Sequence, residues 1–229
     1  IIKKDIPVVI GETTPETKAV FLQRAEEVNA PIIFAENTTK NDYPRMRTEL
    51  QGLYQIKNTR TILTALPLLK KAGYHIDEQS VRNGFAHVCE LTGLMGRWQK
   101  LQDTPTLICD TGHNVGGITY IAEQLKQQNY RHLHIIIGMV NDKDIHSVLR
   151  QLPQCATYYF TKANVKRALD EHTLQTLAKE AGLKGTSWPD VRSAFQAARQ
   201  SSTEKDLIFV GGSTFIVADF LAFYHPEQA

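Results

Sequence analysis

Residues 106–117 read TLICDTGHNVGG, and the order of residue types along this stretch decides the fold. The apolar run from Thr106 to Cys109 ends in Asp110. Thr111, Gly112, His113 and Asn114 then make a polar turn, and a helical pattern starts near Val115. A strand, a sharp turn and a helix start in this order mark one unit of an open α/β sheet. The turn lies at the carboxyl end of its strand, where such sheets place ligands. It offers a carboxylate suited to a diol, an imidazole, and helix N–H groups that favour anions. Each residue also has a plainer explanation, Asp110 as a helix cap and His113 as a turn residue.

Downstream the alternation is regular. Strands are expected at 106–110, 133–138, 156–160 and 207–211, and helices at 115–128, 144–151, 170–181, 190–200 and 214–224. Strands separated by helices imply a parallel sheet with right-handed crossovers. Upstream, PVVIG (7–11) and PIIFAE (31–36) read as strands around a helix that ends near Val28. Thr13 and Glu16 have capping-box spacing, and Pro15 suits a first helical turn. Ile6 to Ile10 reads as a buried strand. Residues 37–50 are polar and read as a loop or short hairpin. Further helices are expected from about Gln55 to Lys71, with Pro67 bending the first, and from about Asp77 to Leu91. Gly93, Gly96 and Pro105 punctuate the stretch 93–105, which reads as a linker between a domain at 1–92 and one at 106–229.

Composition narrows the function classes. A net charge of +2 gives no electrostatic case for nucleic acid or membrane partners. Cys89, Cys109 and Cys155 are odd in number and far apart, which favours reduced thiols and a cytoplasmic setting. No apolar stretch approaches the length of a membrane span, and there is no secretory signal. A monomer is expected. The chain opens on IIKKDIPVVIG without an initiator Met, which reads as a stretch of a longer protein.

Other candidates share the geometry of the first. GGST (211–214) follows LIFV and opens the last helix, with glycines for close backbone approach and Ser213 as ligand group or helix cap. GMVNDKD (138–144) follows HIIIG, and Asp142 or Asp144 suits a helix cap, with Lys143 exposed. Arg97 lies beside Trp98 in GRWQ (96–99), placed for phosphate or carboxylate or simply at the surface. Asn58 in LYQIKN either pairs with a base edge or caps its helix. His132 and His134 share a strand face, but a third zinc ligand is missing, so no metal ligand is assigned.

LQGLYQIKN (50–58), GRWQ (96–99), DTGHN (110–114), GMVNDKD (138–144) and VGGSTFIVADFL (210–221) occur in an order and spacing that resembles folylpolyglutamate synthase/dihydrofolate synthase, a branch of the Mur ligase family. IIKKDIPVVIG (1–11) is similar to a stretch late in that family's central ATPase domain. The resemblance implies a Rossmann-like C-terminal domain with a mostly parallel sheet, preceded by the end of a P-loop-type α/β domain. It implies ATP and Mg²⁺ as cofactors, and L-glutamate with dihydropteroate or tetrahydrofolate as small-molecule substrates. ATP phosphorylates a carboxylate, the glutamate amine attacks the acyl phosphate, and phosphate leaves. A carboxylate is a poor electrophile and needs this activation, and the crowded anions need cationic partners.

By this resemblance Asn58 contacts adenine, Arg97 reaches the phosphates and Asp110 holds the ribose hydroxyls. His113 and Ser213 stand on the glutamate and acyl-phosphate side, as the catalytic candidates. Lys143 and Asp144 are structural or interdomain first. Two departures stand out. Many members read DGAHNP where this chain has DTGHNV, and no GxxxxGK[ST] phosphate loop is present. The family's magnesium ligands accompany that loop, so these residues alone are expected to be inactive. The rival readings are another Mur-type amide ligase in peptidoglycan-precursor synthesis and a non-catalytic nucleotide- or anion-binding module. The sequence does not separate dihydrofolate synthesis from polyglutamate extension.

Overall fold

The computed structural model describes residues 1–38, 46–141 and 144–224. Two compact units are present, Ile1–Glu49 with Tyr54–Gly93, and Leu50–Leu53 with Leu94–Ala229.

In the first unit β1 (Val8–Ile10) pairs in parallel with β2 (Ile32–Phe34) across helix α1 (Pro15–Glu27). The capping box sits one residue later than the sequence suggests. Thr14 and Thr17 cap α1 reciprocally, with Pro15 at its first turn. Thr13 instead gives its hydroxyl to Glu36 at 2.6 Å, tying the helix start to the 3-10 turn Ala35–Asn37 that ends the second strand early. β1 is half-buried rather than buried, because one neighbouring strand covers only part of it.

Helix α2 (Gln55–Lys71) runs unbroken through Pro67, and α3 (Glu78–Ala86) and α4 (Val88–Thr92) follow. The single helix expected over 77–91 breaks at His87 (φ −134°, ψ 37°). Its cause is remote in sequence: Glu49 accepts the Cys89 amide at 2.7 Å and so caps the new helix start. Leu66 is buried in α2, whereas Ile56, Ile62 and Leu69 are exposed.

The second unit is a six-stranded sheet. Its elements are β3 (Gln99–Asp103), β4 (Thr106–Asp110), α5 (Val115–Lys126), β5 (Leu133–Ile137), α6 (Ile145–Leu149), β6 (Thr157–Phe160), α7 (Glu171–Glu180), β7 (Lys184–Ser187), α8 (Val191–Ser201), β8 (Leu207–Gly211) and α9 (Thr214–Phe223). The strand order is β3-β4-β8-β5-β6-β7, parallel except for the antiparallel pair β3–β4. Residues 94–105 are therefore not a free linker: β3 extends the sheet at its edge.

Burial follows the strand period of two. Leu207 and Phe209 of β8 pack on one face with Ile118, Ile121 and Leu125 of α5 and Leu174 of α7. Ile208 and Val210 pack on the other with Ala194 of α8 and Ile216, Val217 and Phe220 of α9. Both faces of the central strand are covered, hence the continuous apolar run LIFV. The segment 50–53 joins this unit through Gln124 of α5, which accepts the Leu53 amide at 2.7 Å and donates to Gln51 O at 2.9 Å. Phe209 is fully buried in the middle strand. Phe209→Ala should cost about 3–5 kcal/mol of unfolding free energy in urea titration. A loss below about 1 kcal/mol would mean the core collapses around the gap.

Candidate functional site

Three turns open on one edge of the sheet. In the parallel register Asp110, the last residue of β4, faces Gly211, the last of β8. Ile137 at the end of β5 also pairs with Gly211. The DTGHN, GGST and GMV turns thus stand side by side at the carboxyl edge, with the N-termini of α5 and α9 directed to it. Their backbones nearly touch: Gly138 N lies 3.4 Å from Gly211 O. A Cβ on Gly212 (φ 88°) would meet Gly138 O at 2.8 Å.

The DTGHN turn is fixed from within. Asn114, not Asp110, caps α5, its side chain accepting the Gly117 amide at 2.8 Å. Asp110 is 1% exposed. Its Oδ1 accepts the Gly112 amide at 2.7 Å and its Oδ2 the Trp98 amide at 2.7 Å. His113 is half-buried, and its Nδ1 lies 3.0 Å from Thr111 O. A carbonyl only accepts, so Nδ1 carries the proton and, in the neutral ring, Nε2 keeps its lone pair.

Ser213 is buried and caps α9, accepting the Phe215 amide at 3.2 Å. Asp144 caps α6 through the Ser147 amide, and the Ser147 hydroxyl and amide hold its carboxyl below the usual range. That is a structural role. Asp142 and Lys143 lie outside the described residues. Arg97 is exposed, between Gly96 (φ 72°) and Trp98 (φ 49°). Asn58 does not cap its helix: α2 begins at Gln55, and the exposed Asn58 amide donates to Gln55 Oε1 at 3.0 Å.

The same edge carries residues that the motifs did not single out. Thr161 follows β6, and its fully buried hydroxyl has no hydrogen-bond partner among the described residues; the Thr111 hydroxyl in DTGHN is the same. Arg167 lays its guanidinium 4.9 Å from the Phe215 ring, over the first turn of α9. Its backbone carbonyl accepts from Asn141 N at 3.1 Å. The sequence signal available for Thr161 was the one used for Asp110, a polar residue directly after an apolar strand.

His132 and His134 lie at the opposite end of the strands. Their rings meet edge-on at 4.8 Å. His132 Nε2 is 2.8 Å from the Thr157 hydroxyl, and buried His134 bonds the Tyr159 hydroxyl at 3.1 Å with Asp206 3.7 Å away. Among the described residues no group of three His, Cys, Asp or Glu side chains could hold a metal. Burial first, then the His132 charge, pushes the His134 pKa down, against the opposing pull of Asp206. The unfolded chain therefore takes the proton first. This contribution to stability is fully present above the ordinary His value of about 6.5 and is lost as pH falls from there toward the folded value. Unfolding free energy should fall from pH 7 to 5, and His134→Gln should flatten that slope. An unchanged slope would assign the acid sensitivity elsewhere.

The family model described as Mur ligase, glutamate ligase domain, matches residues 96–214. The chain is similar to the Bacillus subtilis dihydrofolate synthase/folylpolyglutamate synthase, 26% identical over 242 residues that cover 96% of the chain and 55% of that protein. It is similar in fold to Escherichia coli FolC in complex with DHPP and ADP, with TM-score 0.81, 22% identity, and coverage of 100% of this chain and 55% of that one. A third likeness is to the Yersinia pestis bifunctional folylpolyglutamate synthase/dihydrofolate synthase complexed with AMPPNP and Mn ion, with TM-score 0.75, 23% identity, and coverage of 96% and 53%. The chain thus spans about half the length of these three relatives. The model match takes in β3 through the first residue of α9, the whole carboxyl edge built above, and on it the chain belongs to the Mur ligase family.

Proposed function

We propose that the chain contributes the glutamate-ligase wall of an ATP-dependent ligase that joins L-glutamate to dihydropteroate or to folates. The observation that carries this reading is the pair of helix N-termini, α5 and α9, opening side by side at Asp110 and Gly211 with His113 between polar turns. Such an edge suits the anions of an acyl phosphate and of glutamate. The relatives' names supply the substrate class, and the nucleotides in the solved neighbours support ATP.

In this reaction the acceptor carboxylate takes the γ-phosphoryl of ATP and ADP leaves. The glutamate nitrogen then attacks the acyl carbon, phosphate departs with the C–O bond, and the nitrogen gives up a proton. In this reading His113 Nε2 receives that proton, and Ser213 orients the amino acid. Arg97 serves the phosphates and Asn58 the adenine. Magnesium would neutralise phosphate charge; among the described residues no group of three His, Cys, Asp or Glu side chains could hold it. No membrane-crossing helix occurs among them and the three cysteines are free. A cytoplasmic, monomeric enzyme is part of this proposal.

The test is radiolabelled glutamate incorporation by the intact protein with MgATP and one of three acceptors: dihydropteroate, tetrahydrofolate or a UDP-muramyl precursor. Incorporation and ADP release should depend on a pteroate or folate acceptor. Activity with the muramyl acceptor alone would move the chain to another branch of the family.

A further inference from the structure

Helix α5 buries the apolar side chains of Ile118, Ile121 and Leu125, and one polar side chain with them, Gln124, which is 6% exposed. A buried amide costs free energy unless its donor and its acceptor both find partners. Gln124 finds both in one short segment far away in the sequence. Its Oε1 accepts the Leu53 amide at 2.7 Å, and its Nε2 donates to Gln51 O at 2.9 Å. One residue of a parallel strand would bond in the same way opposite Gly52, which is buried. Leu50–Leu53 packs with the second unit, whereas Glu49 and Tyr54 on either side of it pack with the first.

Helix α2 starts directly after this segment. Its N-cap residue, Tyr54, makes no side-chain capping bond among the described residues. A helix start without a cap needs another support for its orphan N–H groups and its position. Two anchors flank this one. Leu53, just before it, is held by Gln124. Lys57 in the first turn pairs with Glu12, and Thr61 lies against Gly11, where a Cβ would meet Thr61 Oγ1 at 2.8 Å. Asn58 stands between Leu53 and Thr61.

We propose that Gln124 is a positioning residue for the nucleotide: it docks residues 50–53 on α5, fixes the point at which the chain enters α2, and so sets Asn58 for the base. This rests on the reading that Asn58 serves the adenine. Gln124 acts only through the backbone from Leu53 to Asn58.

The test uses two variants of the intact protein. Gln124→Met fills the same space without either bond, and Gln124→Ala removes the bonds and the bulk. Hydrogen exchange at the Leu53 amide should speed up at least about tenfold in both, while the Ile135 and Phe209 amides stay protected. Unchanged exchange at Leu53 would overturn the anchor. KM for ATP should rise about tenfold or more in Gln124→Met, with kcat at saturating ATP within about threefold of the parent and KM for glutamate unchanged. A merely structural lesion would instead lower kcat by reducing the folded fraction and leave KM for ATP in place, and that result would overturn the positioning role. Asn58→Ala should also raise KM for ATP, and adding Gln124→Met to it should change little further. Effects that multiply would put Gln124 outside the path to Asn58 and overturn the proposal. If the intact protein ligates nothing, the functional reading and the positioning role fail together, and the exchange data still decide the anchor.

Discussion

Alanine at His113 is expected to cut kcat of the proposed ligation by about 10²–10⁴-fold in the intact protein, the usual contribution of a positioned acid–base group. KM for ATP should hardly move. The ring is held by one bond, Nδ1–H to Thr111 O, which leaves Nε2 as the acceptor. Thr111 is itself pinned, its amide on Gly96 O. The imidazole therefore has a set tautomer on a set turn, half-exposed next to the N-terminus of α5. In the proposed reaction its bond to the glutamate proton exists only as the amide forms, so its removal lowers kcat and kcat/KM together. Steady-state kinetics with ATP, glutamate and acceptor varied in turn check this. A raised KM for ATP with kcat intact would place His113 on the nucleotide instead.

How much of this was legible in the sequence follows from what leaves a trace there. β4 and β8 were readable because central strands covered on both faces need continuous apolar runs, LIC and LIFV, and the turns after them need glycine and small polar residues. β3 and β7 were not. QKLQD holds a single apolar residue and KGTS none, since edge strands bury little side chain and are held by backbone bonds. Gly185 in KGTS carries a packing constraint that only the structure shows: a Cβ there would fall 2.0 Å from Tyr158 O. The break at His87 was invisible for another reason, because its cause, Glu49, lies outside the helix.

The candidate site divides along the same line. Asp110, His113 and Ser213 were readable as residue types in turns that the sheet brings to one edge. What Asp110 bonds was not, because the Trp98 amide is a backbone group and any residue at that position would have one. Arg167 reaches the site only through the fold, by lying over Phe215.

Gly212→Ala should strongly destabilise the turns of this edge. Two costs combine at that position. The backbone is at φ 88°, where a side chain is strained by about 1–2 kcal/mol. The added Cβ would also stand 2.6 Å from Ile137 Cγ1 and 2.8 Å from Gly138 O. Ile137 can rotate, but the carbonyl belongs to the neighbouring turn and moves only with it, so overpacking adds about 1–3 kcal/mol. The total is about 2–5 kcal/mol in a urea titration. Gly116→Ala is the matched opposite. Gly116 is exposed near the start of α5, and the nearest atom to its Cβ is Asn114 Oδ1 at 3.8 Å. Helix propensity alone then acts, and stability should rise by up to about 1 kcal/mol. Equal and small effects of both changes would mean that the GGST turn is loose. In the intact ligase the loose turn would have a second consequence, since Ser213 follows Gly212 directly and any shift that relieves the clash carries its hydroxyl and the start of α9 away from His113.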